Sequence, residues 1–211
     1  MNSNLILMKD KLYTKCSDGL KWYDEVVIKQ DKYYLREWSP FSSKISAAMK
    51  KGFQLPDLQN KEILYLGSST GTTVSHLSDL LAKIIIGVDI ASVTMLPFLE
   101  LCKKRENIVP LLFDAGHLEE CSLLKGTKFD FVFQDIAQKN MVETFIDNIK
   151  LFAKPGIHAI VLKTNSVDST KLPKQVLDLS LKKLNDAKIK VEKIIDLNPF
   201  EKNHYFIIVR I

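Results

Sequence analysis

The chain has 211 residues, enough to bury the core of one catalytic domain of ordinary size. Apolar residues make up 46% of it and charged residues 26%, which is typical of folded globular domains and excludes a disordered chain. No apolar run reaches the roughly 18 residues of a membrane-spanning helix, and no secretion signal is visible. We therefore expect a cytoplasmic protein without a membrane anchor. The net charge of +5 favours contact with phosphate groups only slightly.

Metal and disulfide chemistry are not indicated by the cysteines or histidines. The three cysteines are odd in number and lack a C-x-x-C spacing. His76, His117 and His158 share no ligand spacing. We expect reduced thiols and no bound metal.

The first 38 residues alternate short apolar and aromatic runs with polar turns. The runs are LILM, LKWYDEVVI and YYLREW, and the turns include Ser17-Asp18-Gly19 and Gln30-Asp31. This alternation predicts antiparallel hairpins, that is, a small β extension over residues 1–38 ahead of a catalytic domain over residues 39–211. The stretch SSKISAAMKKG predicts a helix with a serine cap at its start and Gly52 after its end.

From Glu62 onward, compact apolar runs alternate with segments of helical spacing. The runs are ILYLG, IIIGVDI, IVPLLFDA, FDFVFQDIA and HAIVLKT. This order predicts an α/β fold, with a parallel sheet covered by helices on both faces. The closing VEKIIDLNPF and NHYFIIVRI predict two strands joined by a short turn, one of which enters the sheet antiparallel.

A glycine-containing turn follows the first of these strands. ILYL runs into a loop from Gly67 to Thr73 and then into a helix, and its glycines permit positive φ and close approach of a ligand to the backbone. Such a turn also occurs as a plain strand-to-helix connection, but its position favours a nucleotide-type site. The spacing G-x-x-x-G differs from the dinucleotide pattern G-x-G-x-x-G, which disfavours a nicotinamide dehydrogenase.

Two carboxylates follow the next two strands. Asp89 stands 22 positions after Gly67, where a carboxylate about 20 residues on binds a ribose, although Asp89 also suits a cap for the helix near Ala91. Asp114 has two interpretations as well. It either receives an adenine amino group, with Ala115 leaving room for the ring, or it is a turn aspartate.

Five segments, in order, resemble those of fibrillarin, the methyltransferase of box C/D guide-RNA particles. They are YYLREWSPFSSKISAA, ILYLGSSTGTTVSHLSD, FVFQDIAQ, VLKTNSVDST and NPFEKNHYFIIV. The resemblance covers nearly the whole chain and is to the compact archaeal form, without the glycine/arginine-rich region of eukaryotic relatives. It implies a Rossmann-like methyltransferase sheet, S-adenosylmethionine as cofactor, and 2′-O-methylation of ribose in ribosomal RNA, with transfer RNA as a further substrate class.

The resemblance also implies partners and site residues. The implied partners are a Nop-type coiled-coil scaffold protein, a kink-turn-binding protein, a box C/D guide RNA and the substrate RNA. The implied catalytic group is Lys44, Asp135, Lys163 and His204. The implied cofactor-binding residues are Gly67, Thr72, Thr73, Asp89, Ile90, Asp114, Ala115, Asp135, Ile136, Ala137 and Gln138.

The chain departs from the family pattern at two places that border the expected cofactor. Ser68-Ser69-Thr70 stands where Ala-Ser-Ser or Ala-Ala-Ser is commoner, and Asp89-Ile90 stands where Glu-Phe is usual. The carboxylate is retained, but the aromatic ring after it is lost. The family pattern therefore does not predict how the adenosine is packed in this chain.

Methyl transfer to a ribose hydroxyl needs a proton acceptor and alignment of the hydroxyl with the methyl group. We expect Lys163 to accept the proton or orient the hydroxyl, with Asp135 facing both Lys163 and the cofactor. Lys44 and His204 complete the polar group. The protonation state of Lys163 is left open, because a nearby cation and a nearby carboxylate act on its pKa in opposite directions.

Two other functions compete with this interpretation. Other RNA 2′-O-methyltransferases, of the heat-shock or cap type, have a pattern resembling Lys-Asp-Lys-Glu, and His204 in the fourth position favours fibrillarin. A catalytically idle scaffold is disfavoured by the four intact polar residues. The run Lys103-Lys104-Arg105 is interpreted as the basic end of a helix rather than an RNA groove, and no RRM or KH motif is visible. Target choice is therefore expected to lie with the partners.

Overall fold

The computed structural model describes residues 2–211 of the chain. Four short strands form an antiparallel sheet at the amino-terminal end, in the order β1-β2-β4-β3. They are β1 (Leu5–Met8), β2 (Lys11–Cys16), β3 (Val27–Lys29) and β4 (Tyr34–Glu37). The expected β extension is confirmed as a sheet, whereas the domain boundary after residue 38 stays a prediction.

One expected strand is shorter than the sequence indicated. The run LKWYDEVVI contributes only its last residues to β3, because the Glu25 carboxylate accepts backbone N–H groups from Trp22 (2.9 Å) and Tyr23 (2.7 Å). These bonds fold residues 22–25 into a turn, which removes their backbone from the sheet. A carboxylate that bonds the backbone competes with strand formation.

The predicted capped helix is present as α1 (Lys44–Lys50). Its cap Ser43 accepts from the backbone N–H of Ser46 at 3.5 Å, and Gly52, at φ +91°, donates to the carbonyl of Met49. These groups satisfy backbone atoms that the helix itself leaves unpaired at each end.

A seven-stranded sheet follows, in the order β10-β11-β9-β8-β5-β6-β7. Its strands are β5 (Glu62–Leu66), β6 (Ile84–Asp89), β7 (Ile108–Leu112), β8 (Phe131–Gln134), β9 (Ile157–Lys163), β10 (Lys190–Asp196) and β11 (His204–Arg210). The five strands β5 to β9 are mutually parallel, and β11 runs antiparallel to both β9 and β10. The predicted α/β sheet with one antiparallel strand is confirmed.

The remaining helices connect these strands. They are α2 (Thr72–Asp79), α3 (Ser92–Cys102), α4 (Met141–Phe152), α5 (Thr164–Val167) and α6 (Pro173–Asp186), with short 3₁₀ turns at Ala115–Glu120 and Ser122–Leu124. Among residues 2–211, no helix has the length and apolar character needed to cross a bilayer.

Alternate residues of the strands face two separate cores. Ile63 and Tyr65 of β5 pack in a core with residues of α1, α2 and α3, whereas Leu64 and Leu66 pack in another with residues of α4 and α6. Side chains of a strand point to opposite faces in alternation. The sheet is thus covered on both faces, as predicted.

A buried ionic network joins the amino-terminal sheet to α2. Arg36 on β4 is fully buried and contacts Asp79 of α2 (2.8 Å) and Glu25 (2.9 Å). Asp79 also accepts from Arg105 (2.7 Å) and from the Thr14 hydroxyl (2.7 Å). Arg105 lies three residues after the end of α3 and forms a structural ion pair, which argues against its being part of an RNA groove.

Candidate active site

A cleft of about 280 Å³ opens at the carboxyl ends of β5 to β9. This is where ligands bind in open α/β sheets. Most of the sequence-predicted residues line it: Gly67, Asp89, Ile90, Ala115, Asp135, Ile136, Ala137, Gln138 and Lys163. Ser69, Val88 and Phe113 also line it and were not predicted.

The glycine turn is shaped by close packing against the protein itself. Gly67 has φ +84° and Gly71 has φ +93°, a region that residues with a Cβ rarely adopt. A Cβ on Gly67 would lie 2.7 Å from the carbonyl oxygen of Asp135, and one on Gly71 would overlap the ring of Phe98. The predicted positive φ is confirmed, and the close approach to these two glycines is made by Asp135 and Phe98.

The carboxylate of Asp89 is held in place by backbone donors on both of its oxygens. Oδ2 accepts from the N–H of Ser69 (2.7 Å) and Oδ1 from the N–H of Ala91 (2.9 Å). Asp89 thus ties the glycine turn to the residue that precedes α3, while its side chain borders the cleft. Each oxygen has a second lone pair available to a ligand hydroxyl.

An apolar wall stands beside Asp89. Ile90 lines the cleft and is 60% exposed, and Ala115 and Ile136 line it as well. Phe113 donates its backbone N–H to the carbonyl of Asp89 at 3.0 Å, which places the two residues side by side at the ends of β6 and β7. An aromatic ring therefore borders the cleft even though position 90 carries an isoleucine.

Three predicted cofactor contacts lie outside the cleft lining. Thr72 is the first residue of α2, and Thr73 is buried, with its hydroxyl donating to Ser43 Oγ at 3.0 Å. Asp114 accepts from the N–H of Gly116 at 2.8 Å and caps a 3₁₀ turn. This hydrogen bond fits the turn interpretation of Asp114, and its contact with an adenine amino group stays a prediction.

The Asp135 carboxylate lies between two lysine ammonium groups. Lys163 Nζ is 2.7 Å from Oδ1 and donates to the backbone carbonyl of Asp135 at 3.0 Å, whereas Lys44 Nζ is 3.7 Å from Oδ2. Asp135 follows β8 and Lys163 ends β9, so the neighbouring strand ends bring them together as predicted. Burial lowers the pKa of Lys44, but the charges of Asp135 and Glu201 outweigh this and raise it overall.

His204 is placed beside Lys163 by the sheet. The two residues are directly opposite in the β9–β11 ladder, where paired side chains project to the same face. The His204 Nδ1 lies 2.7 Å from the carbonyl oxygen of Lys202. Because a carbonyl only accepts, Nδ1 carries the hydrogen, and Nε2 of the neutral ring is left as a proton acceptor.

Sequence reasoning missed one charged residue of this group. Glu201, in the turn between β10 and β11, has Oε1 3.1 Å from Lys44 Nζ. A single acid in a polar turn gives no local signal, because its partner belongs to a distant helix. Its position three residues before His204 is the only hint in the sequence.

One group of potential metal ligands lies outside the residues that line the cleft. His117, Glu119 and Glu120 have ligand atoms within 4.8 Å of one another, and all three residues are exposed. Exposed acidic groups of this kind are common without an ion. They support no metal assignment.

The chain matches the family model of fibrillarin over residues 5–211. It is 38% identical to the fibrillarin-like rRNA/tRNA 2′-O-methyltransferase of Thermoplasma acidophilum, across 98% of this chain and 89% of that protein. A solved fibrillarin/Nop5p complex contains a chain 39% identical to it, with a TM-score of 0.90 and coverage of 99% and 98%. Aeropyrum pernix fibrillarin with natively bound S-adenosyl-L-methionine is 30% identical, with a TM-score of 0.86 and coverage of 97% and 92%. The chain therefore belongs to the fibrillarin family.

Proposed function

We propose that this protein transfers a methyl group from S-adenosylmethionine to the 2′-hydroxyl of a ribose in RNA, with ribosomal and transfer RNA as the substrate classes. The observation that carries the proposal is the contact between Lys163 and Asp135 at 2.7 Å, on the rim of a cleft at the ends of parallel strands. Ligands bind at the carboxyl ends of the strands in open α/β sheets, so a charged pair at that place suits contact with a substrate hydroxyl.

The residues of the cleft suit an adenosine-containing cofactor. Its volume of about 280 Å³ is near the lower end of ligand pockets, roughly 300–1,000 Å³. Asp89 offers acceptor lone pairs to the ribose hydroxyls, and Phe113, Ile90 and Ala115 offer apolar surface to the adenine ring. When bound, S-adenosylmethionine supplies an electrophilic methyl group on a sulfonium.

Phe113 accounts for the missing aromatic residue at position 90. It borders the same cleft as Ile90, on the neighbouring strand end. Planar rings gain stabilisation from stacking on an aromatic face. In this chain the adenine contact is therefore assigned to Phe113 together with Ile90.

The polar group acts on the ribose hydroxyl. Lys163 and Asp135 would orient the hydroxyl oxygen, and one of them would take its proton, while the methyl carbon would exchange its bond to sulfur for a bond to that oxygen and leave a neutral thioether. Lys163 in its neutral amine form is the leading acceptor, because an ammonium group has no lone pair for a proton, and Asp135 is the second candidate. His204 relays the proton through Nε2, and Lys44 balances the charge of Asp135.

Guidance by RNA is part of the proposal. The partners are a Nop-type scaffold protein, a kink-turn-binding protein and a box C/D guide RNA that pairs with the substrate. Support comes from the solved complex of a similar chain with Nop5p and from the modest net charge of +5, which gives weak affinity for free RNA. We expect the protein to act in the cytoplasm.

The test is transfer of labelled methyl groups by the purified chain, with and without the scaffold, the kink-turn-binding protein and a box C/D guide. We expect cofactor binding by the chain alone and site-specific methylation only in the complete mixture. Site-specific methylation by the chain alone would contradict the guided part of the proposal. Cofactor binding with no methylation in any mixture would favour the idle scaffold instead.

A further inference from the structure

The Lys44 ammonium group is shared between two carboxylates. It lies 3.1 Å from Glu201 Oε1 and 3.7 Å from Asp135 Oδ2, so its nearer partner is Glu201. The Lys44 side chain is 22% exposed, that of Asp135 12% and that of Glu201 29%. Partial burial makes these interactions stronger than those of fully exposed pairs.

The two segments that carry this pair are also joined by other contacts. Lys44 begins α1, and Glu201 lies in the turn that leads into β11. The rings of Phe41 and Phe200 meet edge to face with centroids 5.2 Å apart, and Lys51 donates to the carbonyl of Asn198. Glu201 is therefore held at a fixed place relative to Lys44.

We propose that Glu201 is a positioning residue that acts through Lys44 to keep the Lys163–Asp135 pair intact. The negative charges of Asp135 and Glu201 offset the positive charges of Lys44 and Lys163. Glu201 draws Lys44 away from Asp135. Without the Glu201 charge, Lys44 has Asp135 as its one remaining anionic partner and moves toward it. It then competes with Lys163 for the carboxylate. This inference rests on the proposed methyl transfer.

The first test is Glu201→Gln, which removes the charge and keeps the shape. We expect kcat of the complete assembly to fall roughly 10- to 100-fold, the loss that follows when a reacting group is misplaced by about 1 Å. The Kd for S-adenosylmethionine should stay unchanged, because Glu201 does not line the cleft. The matched control is Glu192→Gln, which removes a carboxylate paired with Arg210 at another part of the β10–β11 pair and should leave kcat unchanged.

A double-mutant cycle separates action through Lys44 from a general structural role. In a Lys44→Met background, Glu201→Gln should cause no further loss of kcat. An equal loss in both backgrounds, or no loss in the wild-type background, would overturn the inference.

A measurement that does not depend on activity separates a failure of this inference from a failure of the proposed function. The pKa of Lys44, followed by NMR of the labelled lysine in the folded chain, should be lower in Glu201→Gln, because Lys44 loses its nearer anionic partner at 3.1 Å and the closer approach to Asp135 replaces only part of that charge. An unchanged Lys44 titration would refute the inference. If the wild-type assembly transfers no methyl group, the proposed function fails, while this titration still decides whether Glu201 controls Lys44.

Discussion

Asp89 can bind a ligand without moving, because backbone N–H groups of Ser69 and Ala91 already fix both of its oxygens. Such preorganisation reduces the entropy lost on binding. We expect Asp89→Ala to weaken S-adenosylmethionine binding, since each hydrogen bond to a charged group is worth about 1.5–3 kcal/mol. Calorimetry measures the change. Asp186→Ala, at the exposed end of α6, is the control, and unchanged affinity in Asp89→Ala would mean that this residue neither binds the cofactor nor shapes the turn for it.

A substitution at Lys163 can separate its role as proton acceptor from the effect of its positive charge. Lys163→Arg retains a positive charge that cannot be removed at physiological pH, so it can orient the hydroxyl but cannot accept its proton. We expect the variant to bind cofactor normally and to lose almost all turnover in the complete assembly. Substantial remaining turnover would exclude Lys163 as the base. Asp135 would then be the leading candidate.

Which single residues could be predicted depended on where their partners lie in the sequence. Asp89, Asp135 and Lys163 end strands of one parallel sheet, so their convergence followed from the order of elements. Phe113 directly precedes the predicted Asp114 at the end of β7. It belongs to an apolar run, which indicates a strand and gives no sign that Phe113 lines the cleft. Glu201 depends on a contact with α1 that no local pattern encodes.

At the scale of elements, the amino-terminal extension contacts the glycine turn through the bend that precedes β3. The hydroxyl of Tyr23 donates to the carbonyl of Thr70, and Tyr23 is itself held by the Glu25 carboxylate, which pairs with Arg36. Burial raises the pKa of Tyr23 to about 12, so the hydroxyl remains a donor at physiological pH. The extension therefore supports the turn that borders the cofactor cleft.

We expect Tyr23→Phe to weaken cofactor binding by a factor of up to about ten, because a hydrogen bond contributes roughly 0.5–1.5 kcal/mol and here restrains the turn. Calorimetry measures the affinity, and amide exchange at Thr70 and Gly71 should become faster. Tyr33→Phe, in the same extension just before β4 and with its ring under Lys15, is the matched control. Equal affinities of Tyr23→Phe and the wild type would show that the extension does not act on the turn.

The elements themselves were predictable where apolar periodicity was strong. The strands β5 to β9 and the capped α1 follow directly from compact apolar runs and a serine start signal. The turn at residues 22–25 was mistaken for strand, because Trp22 and Tyr23 have high strand propensity, whereas the Glu25 side chain accepts hydrogen bonds from their backbone N–H groups. A side chain that accepts backbone N–H groups in this way prevents strand formation despite high strand propensity. It leaves no trace in the apolar pattern of the sequence.

At the scale of the whole molecule, two fully buried histidines are built into the fold as neutral rings. His76 stacks on Trp38, and its Nδ1 lies 2.8 Å from the Thr14 hydroxyl, which donates its own hydrogen to Asp79. His158 Nδ1 accepts the backbone N–H of Val132 at 3.0 Å. Burial lowers the pKa of both rings, and the charges of Arg36 and Arg105 lower that of His76 further.

These depressed pKa values predict a loss of stability in mild acid. Above the unfolded pKa of about 6.5 both states are neutral, so stability does not depend on these groups. Below it the unfolded chain takes up protons that the folded protein excludes, and the free energy of unfolding falls by up to about 1.4 kcal/mol per pH unit for each histidine. Urea unfolding at about pH 7.5 and pH 5.5 measures the loss. His76→Gln and His158→Gln should each flatten the dependence, whereas His117→Gln, at an exposed position, should leave it unchanged. A wild-type stability that is equal at both pH values would contradict the neutral burial of these rings.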